Sequence, residues 1–417
     1  MSVASASKRT FSSLRNHRNY RLYFIGQVIS ISGTWMQNVA QAWFVVVLTH
    51  SALAVGVLAL CQFGPYALLG LFGGTWVDRL NQRRLLMTTQ SAFGVSAAVL
   101  AVLALTGHAA VWEVFVLAGV NGTVTVFDTP ARQSFTIQMV GSDELPNAIA
   151  LNSSLFNASR IIGPAIGGAI IAIAGVGLCF LINAFSFLAV IAALWSMREH
   201  ELYPVGRDES TRSVLHRALE GLRFAWRAPT LRTVLIMMLV VATIGINFNV
   251  LMPVLTSTTL HSGPEVFGVL SAVFGAGALA GALFSASLGR SSVRALLAGA
   301  AVFSAAELGL APLRVVWAAA LVLAITGFAF SLYTSQSNAA LQLGTPDRLR
   351  GRVMGIYGYV FFGTAPLGGL LAGWLAQVGG TQMAFLVAGA VSLATAMYGR
   401  LELTQVASPS QHAPSTA

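Results

Sequence analysis

The chain has 417 residues, of which 56% are hydrophobic and only 9% charged, and its formal net charge is +10. Soluble domains carry about 25% charged residues, so this composition belongs to an integral membrane protein and excludes a soluble globular one. The positive charge does not signify nucleic-acid binding, because the basic residues fall in short loops between apolar runs and not on one patch.

Residues 1–19 are polar and basic, with Lys8, Arg9, Arg15 and Arg18, and such a segment is expected to stay cytoplasmic. The apolar run that follows is too long for a cleavable signal peptide and lacks a small-residue cleavage pattern. A membrane-crossing helix needs about 20 residues. The apolar runs predict twelve of them: 20–48, 53–77, 85–105, 111–140, 145–174 and 177–197, then 229–256, 266–288, 293–310, 315–343, 352–378 and 382–400. The expected organisation is therefore an N-terminal segment (1–19), a six-helix half (20–197), a charged cytoplasmic linker (198–228), a second six-helix half (229–402) and a Ser-, Pro- and Ala-rich disordered tail (403–417).

Arginine placement sets the expected orientation. With the N-terminus inside, the inner segments hold Lys8, Arg9, Arg15, Arg18 and Arg21, then Arg79, Arg83 and Arg84, seven arginines from Arg198 to Arg232, and Arg290, Arg294, Arg348, Arg350, Arg352 and Arg400. The outer loops hold Arg314 alone, so both termini are expected to be cytoplasmic in a plasma or inner membrane.

Several chemistries are missing. Cys61 and Cys179 both lie inside apolar runs and form neither a disulfide framework nor a metal-ligand spacing. The single lysine, Lys8, leaves no P-loop lysine and no Schiff-base lysine. With no G-x-S-x-G and no H-E-x-x-H either, no enzyme activity, metal or cofactor is expected.

The turn between the second and third predicted spans reads GGTWVDRLNQRR over residues 73–84. It resembles the loop motif of the major facilitator superfamily, roughly G-x-x-x-D-R-x-x-R-R, which Gly74, Asp78, Arg79, Arg83 and Arg84 fit, with Gly73 beside them. The chain also repeats itself. Gly163-Pro164 and Gly167-Gly168 in the fifth span match Ala365-Pro366 and Gly368-Gly369 in the eleventh, and Val47-Leu48-Thr49 matches Val254-Leu255-Thr256. Gly289-Arg290 falls where a degenerate copy of the loop motif would lie, with Ser285 in place of the Asp. Two parallel six-helix repeats are the arrangement of that superfamily. Residues 19–27 (NYRLYFIGQ) and 160–168 (RIIGPAIGG) look like the branch of bacterial exporters that holds the enterobactin exporter and macrolide efflux proteins.

The resemblance implies an all-α fold of twelve transmembrane helices whose first, fourth, seventh and tenth helices line a central cavity. It also implies that Asp78 accepts bonds at the start of the eleventh helix, near residues 351–354, so that residues 73–84 act as a conformational latch. Charge at membrane depth needs a reason. Asp128 and Arg132 share a face of the fourth span at i and i+4, Arg160 lies midway along the fifth, and Glu307 lies near the outer end of the ninth. Three roles for Asp128 stay open: a proton carrier, a latch partner of Arg83 or Arg132, or a local neutral pair with Arg160. Gly163, Pro164, Gly167 and Gly168 are expected to give a close helix seam.

In the linker, Val214, Leu215, Ala218, Leu219, Leu222, Ala225 and Trp226 recur at helical spacing among Arg212, Arg217, Arg223 and Arg227. That pattern predicts a basic amphipathic helix on the inner leaflet, either a plain linker or a regulatory contact. Candidate cavity residues are Trp35, Gln37, Asn38 and Gln41 on the first span, Asn247 and Asn249 on the seventh, and Gln336 and Asn338 on the tenth, although each polar one could equally bond a neighbouring helix. The expected function is proton-coupled efflux of a small lipophilic molecule (a drug, siderophore or secondary metabolite) by a monomer in the lipid bilayer, with the proton gradient as its energy source. An importer or facilitator of the same fold, or a non-transporting sensor or secretion accessory protein, is the alternative.

Overall fold

The computed structural model describes residues 11–204, 214–289 and 291–406. Lys8, Arg9, Arg207, Arg212, Arg290 and residues 407–417 of the expected tail lie outside the described residues, as do the side chains of Val214, Leu215 and Arg217. Among the described residues every element is helical.

A short helix, α1 (Ser12–Asn16), leads into the first span, α2 (Arg18–Thr49). The second and third spans are α3 (Ala52–Val77) and α4 (Gln82–Thr106), and Asn81 caps α4 by accepting the Arg84 N–H at 3.0 Å. Helix α5 (Val111–Ala174) holds the fourth and fifth spans and is broken between them at Gly141, whose φ of 71° and ψ of 177° only glycine adopts freely. The sixth span is α6 (Val176–Trp195), and α7 (Val214–Arg227) is the linker helix.

The seventh span is interrupted. It runs as α8 (Pro229–Val240), a π turn (Val241–Gly245), α9 (Phe248–Val254) and a second π turn (Leu255–Thr259). Then come α10 (Pro264–Ser287), α11 (Val293–Leu310) and α12 (Val316–Leu343). The eleventh span is split into α13 (Asp347–Gly363) and the start of α14 (Ala365–Val406), which turns at Gly379–Gly380 and continues as the twelfth.

By length and composition nine helical segments qualify to cross a membrane. Two of them, Val111–Ala174 and Asp347–Thr404, each contain two passes. The first span, Arg18–Thr49, is outside the nine because it carries Asn19, Gln27, Gln37, Asn38 and Gln41, and it brings the described passes to twelve. Leu68, Ile173, Trp195 and Trp317 are each more than 70% exposed, which suits acyl chains and the membrane interface and would be a liability in water.

The chain forms two compact units. The first comprises Met1–Ser51, Cys61–Thr211 and Ser262–Ala272; the second comprises Ala52–Leu60, Arg212–His261 and Val273–Ala417. Each unit thus takes in the opening turns of one helix from the other repeat: α3 begins in the second unit and α10 begins in the first. The core of the first unit gathers Tyr20, Tyr23, Leu86, Phe135, Met139 and Leu194. In the second unit Phe248 packs on Phe274, Phe303 and Phe385 at 4.9, 6.1 and 6.2 Å between ring centres, and Phe330 closes on Phe274 and Phe303.

Candidate functional site

Asp128 is the hub of a polar cluster inside the first unit, with 4% of its surface exposed. One carboxylate oxygen accepts Thr89 Oγ1 at 2.7 Å and Gln90 Nε2 at 2.8 Å, both from the third span. The other accepts Arg132 Nε at 3.2 Å and Nη2 at 2.6 Å, one turn along the same helix. Arg132 Nη1 in turn donates to Gln27 Oε1 of the first span. The carboxylate ties the third span to the fourth, and the guanidinium that balances its charge extends the link to the first. Polar atoms remain unsatisfied at the rim: the Tyr23 hydroxyl, Gln27 Nε2 and Gln90 Oε1. Gln27, Thr89 and Gln90 were missed in the sequence, which does not show which polar residues of separate spans face Asp128 and Arg132.

Of the two arginines open to Asp128 as partners, Arg132 pairs with it and Arg83 does not. Arg83 reaches the end of the sixth span instead, donating to Leu194 O at 2.7 Å and Trp195 O at 3.1 Å and pairing with Glu199. It thereby fills carbonyls that the last turn of α6 leaves without intrahelical partners. Arg160 is also not a partner of Asp128. Its Nε has no hydrogen-bond partner, and it forms no ion pair among the described residues. Asp78, Arg79 and Arg84 stand exposed at the turn after α3. The two glycines differ: a Cβ on Gly73 would meet Val126 O at 2.5 Å, whereas Gly74 faces open space.

The Gly-Pro run forms two seams. A Cβ on Gly163 would meet Trp35 Cβ at 2.6 Å, and one on Gly167 would meet Met36 Cγ at 3.2 Å, so the fifth span lies against the first. Gly168 lies against Gly268 of α10, and Gly268 against Pro164 O, all within the first unit. The repeat does the same in the second unit. A Cβ on Gly368 would run into Thr243 O of the seventh span, and one on Gly369 or Gly373 would meet Ala59 Cβ or Ala52 O of α3, each at 2.7 Å. The same small residues thus give each repeat one seam to its first helix and one to a helix start from the other repeat.

Most candidate cavity residues serve helix packing. Gln37 Oε1 accepts Asn183 Nδ2 of the sixth span at 2.7 Å. Trp35 packs edge-on against Phe156 at 5.5 Å. Asn247 Nδ2 bonds Thr243 O and Ile244 O at 2.9 and 3.1 Å, holding the break in its own helix. Gln336 ties two helix ends, accepting Ser292 N and donating to Ser285 Oγ, each at 2.8 Å. Asn338 accepts Gln342 Nε2 at 2.6 Å within its own helix. Asn38 and Gln41 make only long contacts of 3.5 Å, to Gln62 Nε2 and Val114 O, and Asn249 is exposed.

The N-terminal helix α1 docks where α5 breaks. Ser12 and Ser13 hydroxyls and Asn16 Nδ2 all donate to the Glu144 carboxylate, at 2.6, 3.0 and 3.2 Å. Nearby, Asn19 exchanges two bonds with the Arg198 backbone at 2.9 and 3.1 Å, clamping the first span to the end of the sixth. In the linker helix, Glu220 pairs with Arg352 at 2.6 Å, and Gly221 seats against Arg352 Cβ, which docks α7 on α13.

Comparison with known proteins agrees with this architecture. The multidrug efflux pump Tap of Mycolicibacterium fortuitum is 31% identical over 85% of this chain and 88% of its own. The enterobactin exporter EntS of Shigella flexneri is 27% identical over 83% and 82%. A bacterial homologue of the human lysosomal transporter Spinster, solved in an inward-facing and occupied conformation, superposes with a TM-score of 0.73 at 14% identity, over 93% of this chain and 97% of its own, which establishes the shared fold. Residues 8–416 match the family described as transmembrane secretion effector. With twelve passes, an internal repeat that reuses its glycine seams and an end-to-end family match, the chain belongs to the transmembrane secretion effectors of the major facilitator superfamily.

Proposed function

We propose that this protein is a secondary active exporter that moves a small, largely lipophilic organic molecule such as a drug, siderophore or secondary metabolite out of the cell in exchange for protons. It sits in the plasma or inner membrane with both termini cytoplasmic, acts as a monomer, and uses the proton gradient without a bound cofactor. The observation that carries this reading is the match along nearly the whole chain to a multidrug efflux pump and an enterobactin exporter. The arginine bias of the expected inner segments supports the orientation. In this reading the seams at Gly168–Gly268 and Gly56–Gly369 part and re-form as the halves alternate, and Asp78 latches the inner side at the start of α13.

The test uses purified protein in liposomes with an acid interior and a trapped pH dye, challenged with lipophilic cations, macrolides and siderophores. Substrate-dependent proton movement supports exchange, and its slowing in Asp78→Asn supports the latch. Substrate entry without proton movement favours an importer or facilitator, and no response to any compound favours a non-transporting sensor.

A further inference from the structure

The second unit holds a carboxylic side chain that the Asp128 cluster does not explain. Glu307 lies in α11, three residues before its end, and is fully buried. Neither Oε1 nor Oε2 has a hydrogen-bond partner. Its surroundings are apolar on one side, where Phe303 one turn away belongs to the phenylalanine cluster. On the other side stand two elements. The first π turn of the seventh span presents Gly245, where an added Cβ would meet Ser392 Oγ at 2.8 Å, Phe303 Cε1 at 3.0 Å and Glu307 Oε2 at 3.3 Å. The twelfth span presents Ser392, whose hydroxyl faces the carboxyl and is the donor beside it, without closing to a bond of good geometry. The tenth span packs along α11 through Tyr333 at Gly299, two turns away. No charged or titratable group of the seventh, tenth or twelfth spans faces Glu307.

This is the opposite of Asp128, whose carboxylate takes four bonds, two of them from a guanidinium. An ionised carboxylate buried with no cation and only the Ser392 hydroxyl beside it is strongly disfavoured, so the neutral acid is the form this pocket suits. A proton is then the one ligand that fits. The neighbouring helix is built to respond, because it leaves α-geometry from Val241 to Asn247, with Ile246 at φ −87° and ψ 54°. Single π turns concentrate at functional sites, and this one brings a glycine to the carboxyl.

We propose that Glu307 is the proton-binding site of the C-terminal half, and that its protonation state sets the conformation of the seventh span at Gly245. A proton from water forms an O–H bond on one carboxylate oxygen and later returns to water; nothing is oxidised or reduced. As a coupling site this rests on the export reading above, whereas proton binding itself does not.

Infrared spectroscopy of the full chain in lipid nanodiscs reads the bound proton directly. A carboxylic-acid C=O band near neutral pH that persists in Asp128→Asn and vanishes in Glu307→Gln is expected. A wild type lacking the band, or a Glu307→Gln variant keeping it, overturns the proposal. In liposomes, Glu307→Gln (isosteric and permanently neutral) is expected to retain ethidium–ethidium exchange while losing ethidium accumulation driven by a pH gradient. Retained gradient-driven accumulation overturns the coupling role. A wild type that moves no ethidium in either mode counts against the export reading, and the infrared band then decides Glu307 alone.

Discussion

Gly168 and Gly268 meet backbone to backbone: a Cβ built on either would stand 2.7 Å from the Cα of the other. The contact joins the fifth span to the opening turns of the eighth inside one compact unit. Neither residue can gain a side chain without moving a helix axis. Gly168→Val or Gly268→Val is therefore expected to destabilise the protein by about 1–3 kcal/mol through overpacking, read as a lower unfolding midpoint in detergent. Gly74→Ala, which meets open space, serves as the control and is expected to leave the midpoint unchanged. Equal midpoints for all three variants would remove the seam from the account.

The Asp128–Arg132 pair should show strong coupling. Asp128→Asn leaves a guanidinium with its best partner gone, and breaking a buried pair costs about 3–5 kcal/mol. Arg132 keeps 29% of its side chain exposed, so the lower end of that range or less is expected. The double variant Asp128→Asn/Arg132→Gln is expected to lose less than the sum of the two single losses. A thermal-unfolding double-mutant cycle measures this, and strict additivity would show that the two side chains act separately.

Arg83 and Glu199 are paired, but they should not contribute equally. Arg83 also fills two carbonyls at the end of α6, whereas Glu199 is 70% exposed. Removing Glu199 costs an exposed ion pair, worth about 0–1 kcal/mol. Removing Arg83 also strips two charge-assisted bonds, each worth about 1.5–3 kcal/mol before solvent is counted. Arg83→Gln is expected to lower stability clearly more than Glu199→Gln, and comparable midpoints would contradict the capping role.

The N-terminal helix should release in acid. The Ser12 hydroxyl bond first, then those of Ser13 and Asn16, hold the Glu144 carboxyl below its ordinary value of 4.5. A depressed carboxyl contributes stability that is complete above its unfolded value and fades as pH falls through its folded one. Docking of residues 12–16 is therefore expected to be intact at neutral pH and to weaken only below about 4.5. Hydrogen exchange of that segment, compared between pH 7 and pH 4, reads the change. Glu144→Gln should weaken docking even at neutral pH, and exchange that ignores both pH and the substitution would dismiss Glu144 as the anchor.

Glu307 shows where reading a span stops. Its place near the end of the ninth helix was legible, because a carboxyl in an apolar run is conspicuous. That both its oxygens lack partners, and that a π turn faces it, was not legible, because π turns have no residue period of their own.

Much of the architecture follows from the sequence alone for a simple reason. A run of about 20 apolar residues in a bilayer has one solution, the helix, because every backbone group must be bonded internally. The twelve passes are of that kind, whereas the repeat at the Gly-Pro run was legible from matching residues and the linker helix from apolar side chains at helical spacing. Which way each helix turns its polar groups is of another kind. Gln37 and Gln336 could line a cavity or bond a neighbouring helix, and they bond Asn183 and Ser285; of the two arginines open to Asp128, Arg132 pairs with it and Arg83 caps the sixth span. Rotation and register are decided by packing against neighbours, and a polar residue takes whichever donor or acceptor that packing brings within about 3 Å. The composition thus made this a membrane protein, and only the tertiary structure decided that Asp128 is held by a guanidinium and two side-chain donors while Glu307 is buried without a cation.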